Sequence, residues 1–545
     1  MASLQPSSIR QAIAGWWGQG SRNEVLPGYA GGQFWQRRPL LCGLIYLGVL
    51  AAYGLVLGMT GRLYLMALVV PLVVMALLII WVLPESKNPP LRAVRFFLFG
   101  FIMVLLGWPD YLAFDLPGLP WITAVRLFAF PLAAVLLISL STSSRFRAEI
   151  AETLAATPWT WKLVAAFAAI AAMSVAFSKD PAFSANRFVV AMLYWIMIYF
   201  CCAWVFRKPG AAMTFAAMIW GFAVLMSLAG ALEWRMQALP WAGHIPSFLT
   251  IDDPVLQTIL AAKSRATTGI YRIQSKFLTP LSFAEFLALS TPVVLFFVLY
   301  GRSLLVKLAA GLSILLIGFC VYRTDSRLGM GGFMLSFLMM LLAWAVLRWR
   351  QVKGSILGPA VTLAYPALFA AFITATFFVG RLRVMVWGGG AQSFSSQARE
   401  EQVSQGIPMI LSQPWGRGIG RGAAELGFTN PGGILTIDTY FLQVGLEFGV
   451  IGFLVYYGMF VAQAYYSAFA ILKARTTEQM LVAPLIMALV NFVVIKTVLS
   501  QQENHAFVFA ILGTLTALIW RINTNDGADP LPRPHKAARE RAAAR

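Results

Sequence analysis

An all-α polytopic integral membrane protein of about fourteen transmembrane helices is the fold class this sequence predicts, and three observations predict it. Of its 545 residues, 59% are hydrophobic and only 12% are charged, a balance that a soluble chain of this length could not solvate. The mean hydropathy is +0.73. Apolar runs long enough to cross about 30 Å of hydrocarbon at about 1.5 Å per residue recur along the chain, leaving no soluble domain of any size.

In chain order, residues 1–38 form a polar segment with basic positions but no short apolar core and cleavage site, so the expectation is a cytoplasmic N-terminal segment and no signal peptide. A first transmembrane bundle, 39–232, holds spans near 40–59, 63–83, 91–107, 121–140, 159–177, 187–206 and 211–232. A loop, 233–277, leads to central spans within 278–379, near 278–299, 304–322, 329–348 and 356–379. A second, longer loop at 380–440 is polar and glycine-rich. Spans near 444–472, 480–500 and 505–521 fill 441–521, and residues 522–545 form a basic, proline-containing tail expected to be disordered and cytoplasmic. The count is fourteen, within a range of twelve to fourteen, and an even count puts both termini on one side. No internal repeat of the inverted-transporter kind is evident.

Orientation follows from the bases in the short loops. With the N-terminus cytoplasmic, Arg145, Arg147, Arg207, Lys208, Arg302, Arg348, Arg350 and Lys473 all fall inside, and the loops 233–277 and 380–440 fall on the far side. The net charge of +20 is spread over such loops and the tail rather than gathered on one folded face, which argues against nucleic acid. Cys42, Cys201, Cys202 and Cys320 lie inside apolar runs with no ligand spacing, so they read as packing residues rather than as a disulfide or zinc framework.

The far side therefore carries arginines against the usual bias: Arg265, Arg272, Arg323, Arg327, Arg381, Arg383, Arg399, Arg417 and Arg421. A guanidinium is a planar fork of donors matched to phosphate oxygens and is charged at any physiological pH. Arg265 and Arg272 precede a span containing Pro280, Glu285 and Pro292; prolines in an apolar helix free carbonyls and are tolerated beside a cavity or a neighbouring helix. The turn YRTDSRLGMGGF offers Arg323, Asp325 and Arg327. The competing readings are head-group snorkelling for the first pair and a local Asp–Arg clip for the turn.

The long loop has three parts. SQAREEQVSQGIPMILSQP reads as an amphipathic helix carrying Arg399. PWGRGIGRG, with Arg417 and Arg421, is a glycine-rich turn; without a preceding strand and a βαβ unit it is a weak nucleotide motif, and turn geometry or close approach to a glycan is the better reading. TIDTYFLQVGLEFGVIGF places Asp438, Gln443 and Glu447 at the return into a span. Glu447 lies nine residues past Asp438, about 2.5 turns, so the two carboxylates fall on opposite faces and are not a side-by-side pair. His244 is a lone loop histidine, His505 sits at the outer edge of the last span, and His535 is in the tail.

The "RATTG…P" entry to a middle span, the "SR-L-G" turn, P-x-x-G-x-G-x-G from Pro414 to Gly422, and "D-T-Y-F-L-Q-x-x-L-E-F-G-x-I-G" together resemble the O-antigen ligase and polymerase superfamily. Its members include Wzy-type polysaccharide polymerases and WaaL-type ligases. The likeness covers roughly residues 260–460. It implies transfer of glycan from an undecaprenyl-pyrophosphate carrier to an acceptor hydroxyl at the periplasmic face of the bacterial inner membrane, with no metal, nucleotide sugar or other cofactor. The partners implied are the lipid-linked oligosaccharide, an acceptor glycan or lipid A-core, membrane lipids, a chain-length regulator and a flippase, and no nucleic acid. By motif position, Arg265 or Arg272, Arg327 and Arg399 would hold the pyrophosphate; Arg327 and Arg399 are the candidate catalytic arginines and Asp438 the candidate base. Arg265, Arg272, Arg323, Arg417, Arg421, Gln443 and Glu447 would line the substrate site. The ligases place a histidine where the loop returns to the span; here Asp438 stands there, which tilts the expectation toward a polymerase, a metal-independent inverting glycosyltransferase. The alternatives are an O-antigen ligase and, in a different class, a lipid-linked glycan transporter.

Overall fold

The computed structural model describes residues 89–114, 122–241, 271–352, 354–380, 393–429 and 435–524, with residue 48 and most of 75–85 and 243–251. The spans expected near 40–59 and 63–83, the residues Cys42, Arg265, Arg381, Arg383 and His535, and the tail lie wholly or largely outside these. Among the described residues, eleven helices are long and apolar enough to cross a membrane. One further expected span, α1 (Leu91–Gly107), forms a helix of 17 residues.

The chain divides into two compact units. The smaller comprises residues 1–94 and 131–151; its described part includes most of α2 (Ala124–Thr142), which the larger unit begins, and most of α3 (Ser144–Ala155), which the larger unit ends. Here Arg147 pairs with Glu85 at 2.9 Å and Arg145 with Glu149 at 3.0 Å.

The larger unit, residues 95–130 and 152–545, contains the rest. Its helices are α4 (Pro158–Ala176), α5 (Pro181–Val205), α6 (Ala211–Met236), α7 (Pro280–Tyr300), α8 (Leu304–Arg323), α9 (Arg327–Gln351), α10 (Leu357–Phe378), α11 (Ser393–Ser412), α12 (Gly422–Leu426), α13 (Tyr440–Ile471), α14 (Val482–Lys496) and α15 (His505–Asn523). The expected all-α class needs one small amendment. Three two-residue strands, β1 (Ala113–Phe114), β2 (Ile122–Thr123) and β3 (Leu249–Thr250), form an antiparallel sheet in the order β2-β1-β3. Loop backbone leaving the helices must satisfy its own polar groups, and pairing two loops does so.

The core of this unit is α7, α14 and α15, whose faces are almost wholly buried. An apolar interior offers no hydrophobic preference between neighbouring helices and lipid, so polar pairs help to fix the register. Asn491 of α14 donates to the Ala288 carbonyl at 3.1 Å and to Ser336 Oγ at 2.8 Å, joining α7, α9 and α14. Each such bond contributes about 0.6–2 kcal/mol. Cys201, Cys202 and Cys320 are buried packing residues, as expected.

The turns of this unit gather at two opposite ends. At one end Glu478 accepts hydrogen bonds from the amides of Gly210, Ala212 and Met213 and pairs with Arg521 at 2.8 Å, while Arg207 pairs with Glu152 at 2.9 Å. Arg207, Lys208, Arg302, Arg348, Arg350, Lys473 and Arg475 lie in or beside the turns that close this end. At the other end the described parts of the two long loops, the Arg323–Arg327 turn and the starts of α7, α13 and α15 meet.

One expectation changes shape. The return from the long loop was read as one helix running into a span, but α13 is broken at Gly449, whose φ of 71° and ψ of −173° are not helical. Asp438 precedes this helix by two residues, and Glu447 lies in the short segment before the break.

Candidate active site at the loop-bearing face

The segment after the first loop is extended, and it is fastened on every side. Glu233, near the end of α6, accepts from the amides of Gln274 and Ser275 and from the Tyr271 hydroxyl at 2.9 Å. Burial and the carboxylate beside it raise the Tyr271 hydroxyl's pKa. Arg272 Nε donates to the Thr324 carbonyl at 2.7 Å, and the Ile273 amide reaches the Arg323 carbonyl. Lys276 is buried and donates to the carbonyls of Leu105 and Trp108. Desolvation pulls its amine down to about 8, against the pull of Glu503 and Asp110. Both of those carboxyls are pushed up, first by burial. The Leu278 amide closes the clip on Glu503 Oε1 at 2.9 Å.

Arg272 is thus joined to the turn between α8 and α9. There Asp325 takes the left-handed φ of 49°, and Ser326 caps α9 by accepting from the Gly329 amide at 3.1 Å. Arg323 is part-buried over Trp234, its guanidinium carbon 4.3 Å from the ring centre in a cation–π contact. Arg327, the first residue of α9, is exposed at the same turn. Here a helix N-terminus and an exposed guanidinium coincide, an arrangement suited to an anion.

In the long loop, α11 forms as expected and carries Arg399 and Gln402. A small apolar core of Leu426, Ile437, Leu442 and Leu446, with Val403 and Ile410 against it, holds α11 and α12 onto the start of α13. Gln402 Oε1 accepts from the Asp438 amide at 2.9 Å. Partial burial raises the Asp438 carboxyl above the ordinary aspartate range, against the pull of the nearby Arg399 guanidinium. A base in that condition is nearer to the pKa that proton abstraction at neutral pH requires.

The glycine-rich turn serves the protein's own architecture. Gly416, Gly418 and Gly420 all take positive φ, and a Cβ at Gly418 would lie 2.5 Å from Ser178 Cβ. The turn lies against the broken start of α13: the Arg417 amide donates to the Leu446 carbonyl at 2.9 Å, Gly418 to that of Glu447 at 3.2 Å, and Val450 to that of Pro414 at 3.0 Å. Turn geometry, rather than a nucleotide cradle, accounts for the motif.

Sequence reasoning missed Glu425, Glu233, Lys276 and the buried Glu285–Lys496 pair, which lies 2.9 Å apart. The Glu425 side chain, 2% exposed, receives Lys179 at 2.8 Å and both Arg417 and Arg421 at 3.7 Å. Arg417 also donates to the Met409 carbonyl and Ser412. Gln443 donates to Glu447 Oε1 at 2.7 Å, and the Gly422 amide reaches the same oxygen at 3.3 Å. The expected site residues therefore fall into groups by partner: Arg272, Arg323 and Arg327 at one turn, Arg399 with Asp438, Arg417 and Arg421 around Glu425, and Gln443 with Glu447. Arg265 lies outside the described residues. The only sequence signal for Glu425 was a lone acid four residues past Arg421, the spacing of one helical turn.

These features define a class: a multi-pass helical membrane protein with a polar, arginine-bearing loop face built over a buried charged layer. Residues 312–457 match the family model described as O-antigen ligase, which supports the O-antigen ligase and polymerase superfamily. That family suggests an enzyme acting on polysaccharide and implies lipid-linked glycan and acceptor substrates. No curated protein matches the chain.

Proposed function

We propose that this protein is a polymerising glycosyltransferase of surface polysaccharide synthesis, acting at the periplasmic face of the inner membrane on undecaprenyl-pyrophosphate-linked glycan. The observation that carries the reading is Asp438 beside Arg399, a part-buried carboxyl of raised pKa where the long loop returns to the membrane. In the step proposed, an acceptor sugar hydroxyl attacks the anomeric carbon and Asp438 takes its proton. The bond from that carbon to the pyrophosphate oxygen breaks, its electron pair leaves with the lipid pyrophosphate, and in-line attack inverts the centre. Charge grows on the departing diphosphate, so guanidiniums held in place beforehand bind it more strongly in the transition state. Arg327 and Arg399 are assigned that role. Arg272 and Arg323 form the wall of the same turn, with Arg265 ahead of them on the chain. Arg417, Arg421, Gln443 and Glu447 shape the glycan side through the glycine turn.

The outward placement is supported by the opposite end of the larger unit, whose short turns carry bases and few acids, the cytoplasmic pattern. Polymerase is favoured over ligase because Asp438 stands where the resemblance leads one to expect a ligase's histidine, and His505 is buried beneath the loop. The test is elongation in vitro: purified protein is given lipid-linked repeats with no transport gradient, and longer lipid-linked glycan is the expected product. Transfer only to lipid A-core would make it a ligase, and no elongation by folded protein would favour a transporter. Arg327→Ala and Arg399→Ala should abolish long chains at normal protein level; normal chain length in both would remove the site.

A further inference from the structure

Beneath the loop lies a charged layer that the reaction proposed above does not use. Glu285 of α7 and Lys496 of α14 are fully buried as a pair. Lys496 Nζ lies 2.9 Å from one carboxylate oxygen, donates to the other at 3.1 Å, and also donates to the Gln501 carbonyl. Asn504 donates to Glu285 Oε2 at 3.0 Å and to the Ser282 carbonyl at 2.9 Å. Three helix ends are thereby tied at one point. Buried ion pairs gain little net stability over apolar packing, so their use is sought in what they hold in place.

What they hold is Tyr440. This ring is 1% exposed and is the first residue of α13. The Lys496 ammonium lies 5.5 Å from its centre, the His505 ring 4.7 Å and the Tyr456 ring 5.7 Å. His505 is itself stacked on Trp195 at 4.9 Å. Two residues before Tyr440 comes Asp438, whose amide is held by Gln402 of α11. The carboxylate is therefore suspended between an outer anchor on α11 and an inner anchor in a socket made by α14, α15 and the body of α13.

We propose that Tyr440 is a positioning residue for Asp438, and that the Glu285–Lys496 pair braces the socket in which it sits. The inference rests on the reading of Asp438 as the base. A misplacement of about 1 Å at a reacting group costs about 100-fold in rate, so the effect belongs in kcat rather than in KM.

The experiment measures kcat and KM for elongation by the purified full-length protein on lipid-linked repeats, with the melting temperature of each variant. Tyr440→Phe keeps the ring and should retain activity. Tyr440→Leu keeps bulk but not the aromatic faces, and its kcat should fall about 100-fold with KM unchanged. The double variant Glu285→Gln with Lys496→Met removes both charges together and leaves no charge unpaired. It should melt near the parent and lose about tenfold in kcat, the loss of the Lys496–Tyr440 cation–π contact taken at about 1.4 kcal/mol. If Tyr440→Leu does not fold, the double variant decides alone. Full kcat in a folded Tyr440→Leu, or in the double variant, overturns the positioning role. Asp438→Asn separates the two readings: full activity there would remove the base and this inference with it. An inactive Asp438→Asn beside an active double variant would remove only the inference.

Discussion

Replacing Gly449 by alanine tests how far the site depends on the break in α13. A Cβ at this position would lie 1.9 Å from the Pro414 carbonyl oxygen and 2.7 Å from the Gly416 amide nitrogen, backbone atoms with no freedom to swing aside. The backbone conformation, with ψ near −173°, belongs to a region used almost solely by glycine, and forcing another residue into it costs about 1–3 kcal/mol. To relieve the clash the glycine turn must lift, which breaks the bonds Val450–Pro414, Arg417–Leu446 and Gly418–Glu447. At about 0.5–1.5 kcal/mol each, these bring the total to about 2.5–7.5 kcal/mol. Gly427 supplies the control, since it has the same φ of 71° but nothing within 4 Å of its would-be Cβ. Gly427→Ala should cost only the left-handed strain, about 1–2 kcal/mol. Melting in detergent and protease nicking between α11 and α13 measure both, and Gly449→Ala should be clearly the worse in each. Equal melting of the two variants would refute the claim that the turn is seated on the break.

Further outcomes follow from the same groups. Asp438→Asn should lower the elongation rate by about 100-fold or more. In the parent the rate should rise with pH through the raised carboxyl pKa and then level; a flat profile would count against the base. Because that folded pKa is raised, the contribution of Asp438 to stability is full below its unfolded pKa and is lost as pH rises through the folded one, so the parent should gain on Asp438→Asn as pH is lowered. Glu425→Gln strands guanidiniums that are mostly buried and should lower stability by about 2 kcal/mol, whereas Lys179→Ala, at an exposed partner, should cost under about 1 kcal/mol. A cysteine at exposed Glu400 should react with a membrane-impermeant maleimide in intact cells; labelling only after lysis would put the loop on the cytosolic side and remove the proposed substrate.

Much of the site was readable one segment at a time. Arg399 on an amphipathic helix and Arg323 and Arg327 in a tight turn follow from spacing on a single stretch of chain, and the structure keeps them; the opposed helical faces expected of Asp438 and Glu447 do not arise, because Asp438 lies ahead of α13 rather than on it. The glycine motif was legible as a turn but not in its purpose, because what Gly418 avoids is Ser178, more than two hundred residues away in sequence.

By itself the sequence determined that the chain crosses a membrane many times, where most crossings begin and end, and that its arginine-bearing loops return to one end of the helices. Those are properties of hydropathy and period, which each segment carries alone. Only the tertiary structure decided which acids meet which bases. Glu285 finds Lys496, Glu233 fastens the segment before α7, and Glu425 collects three cations. In an apolar chain the faces toward lipid and toward neighbouring helices look the same, so nothing in the order of residues marks which helix ends will touch. A charge in such a chain is placed by its partner, and its partner is placed by the fold.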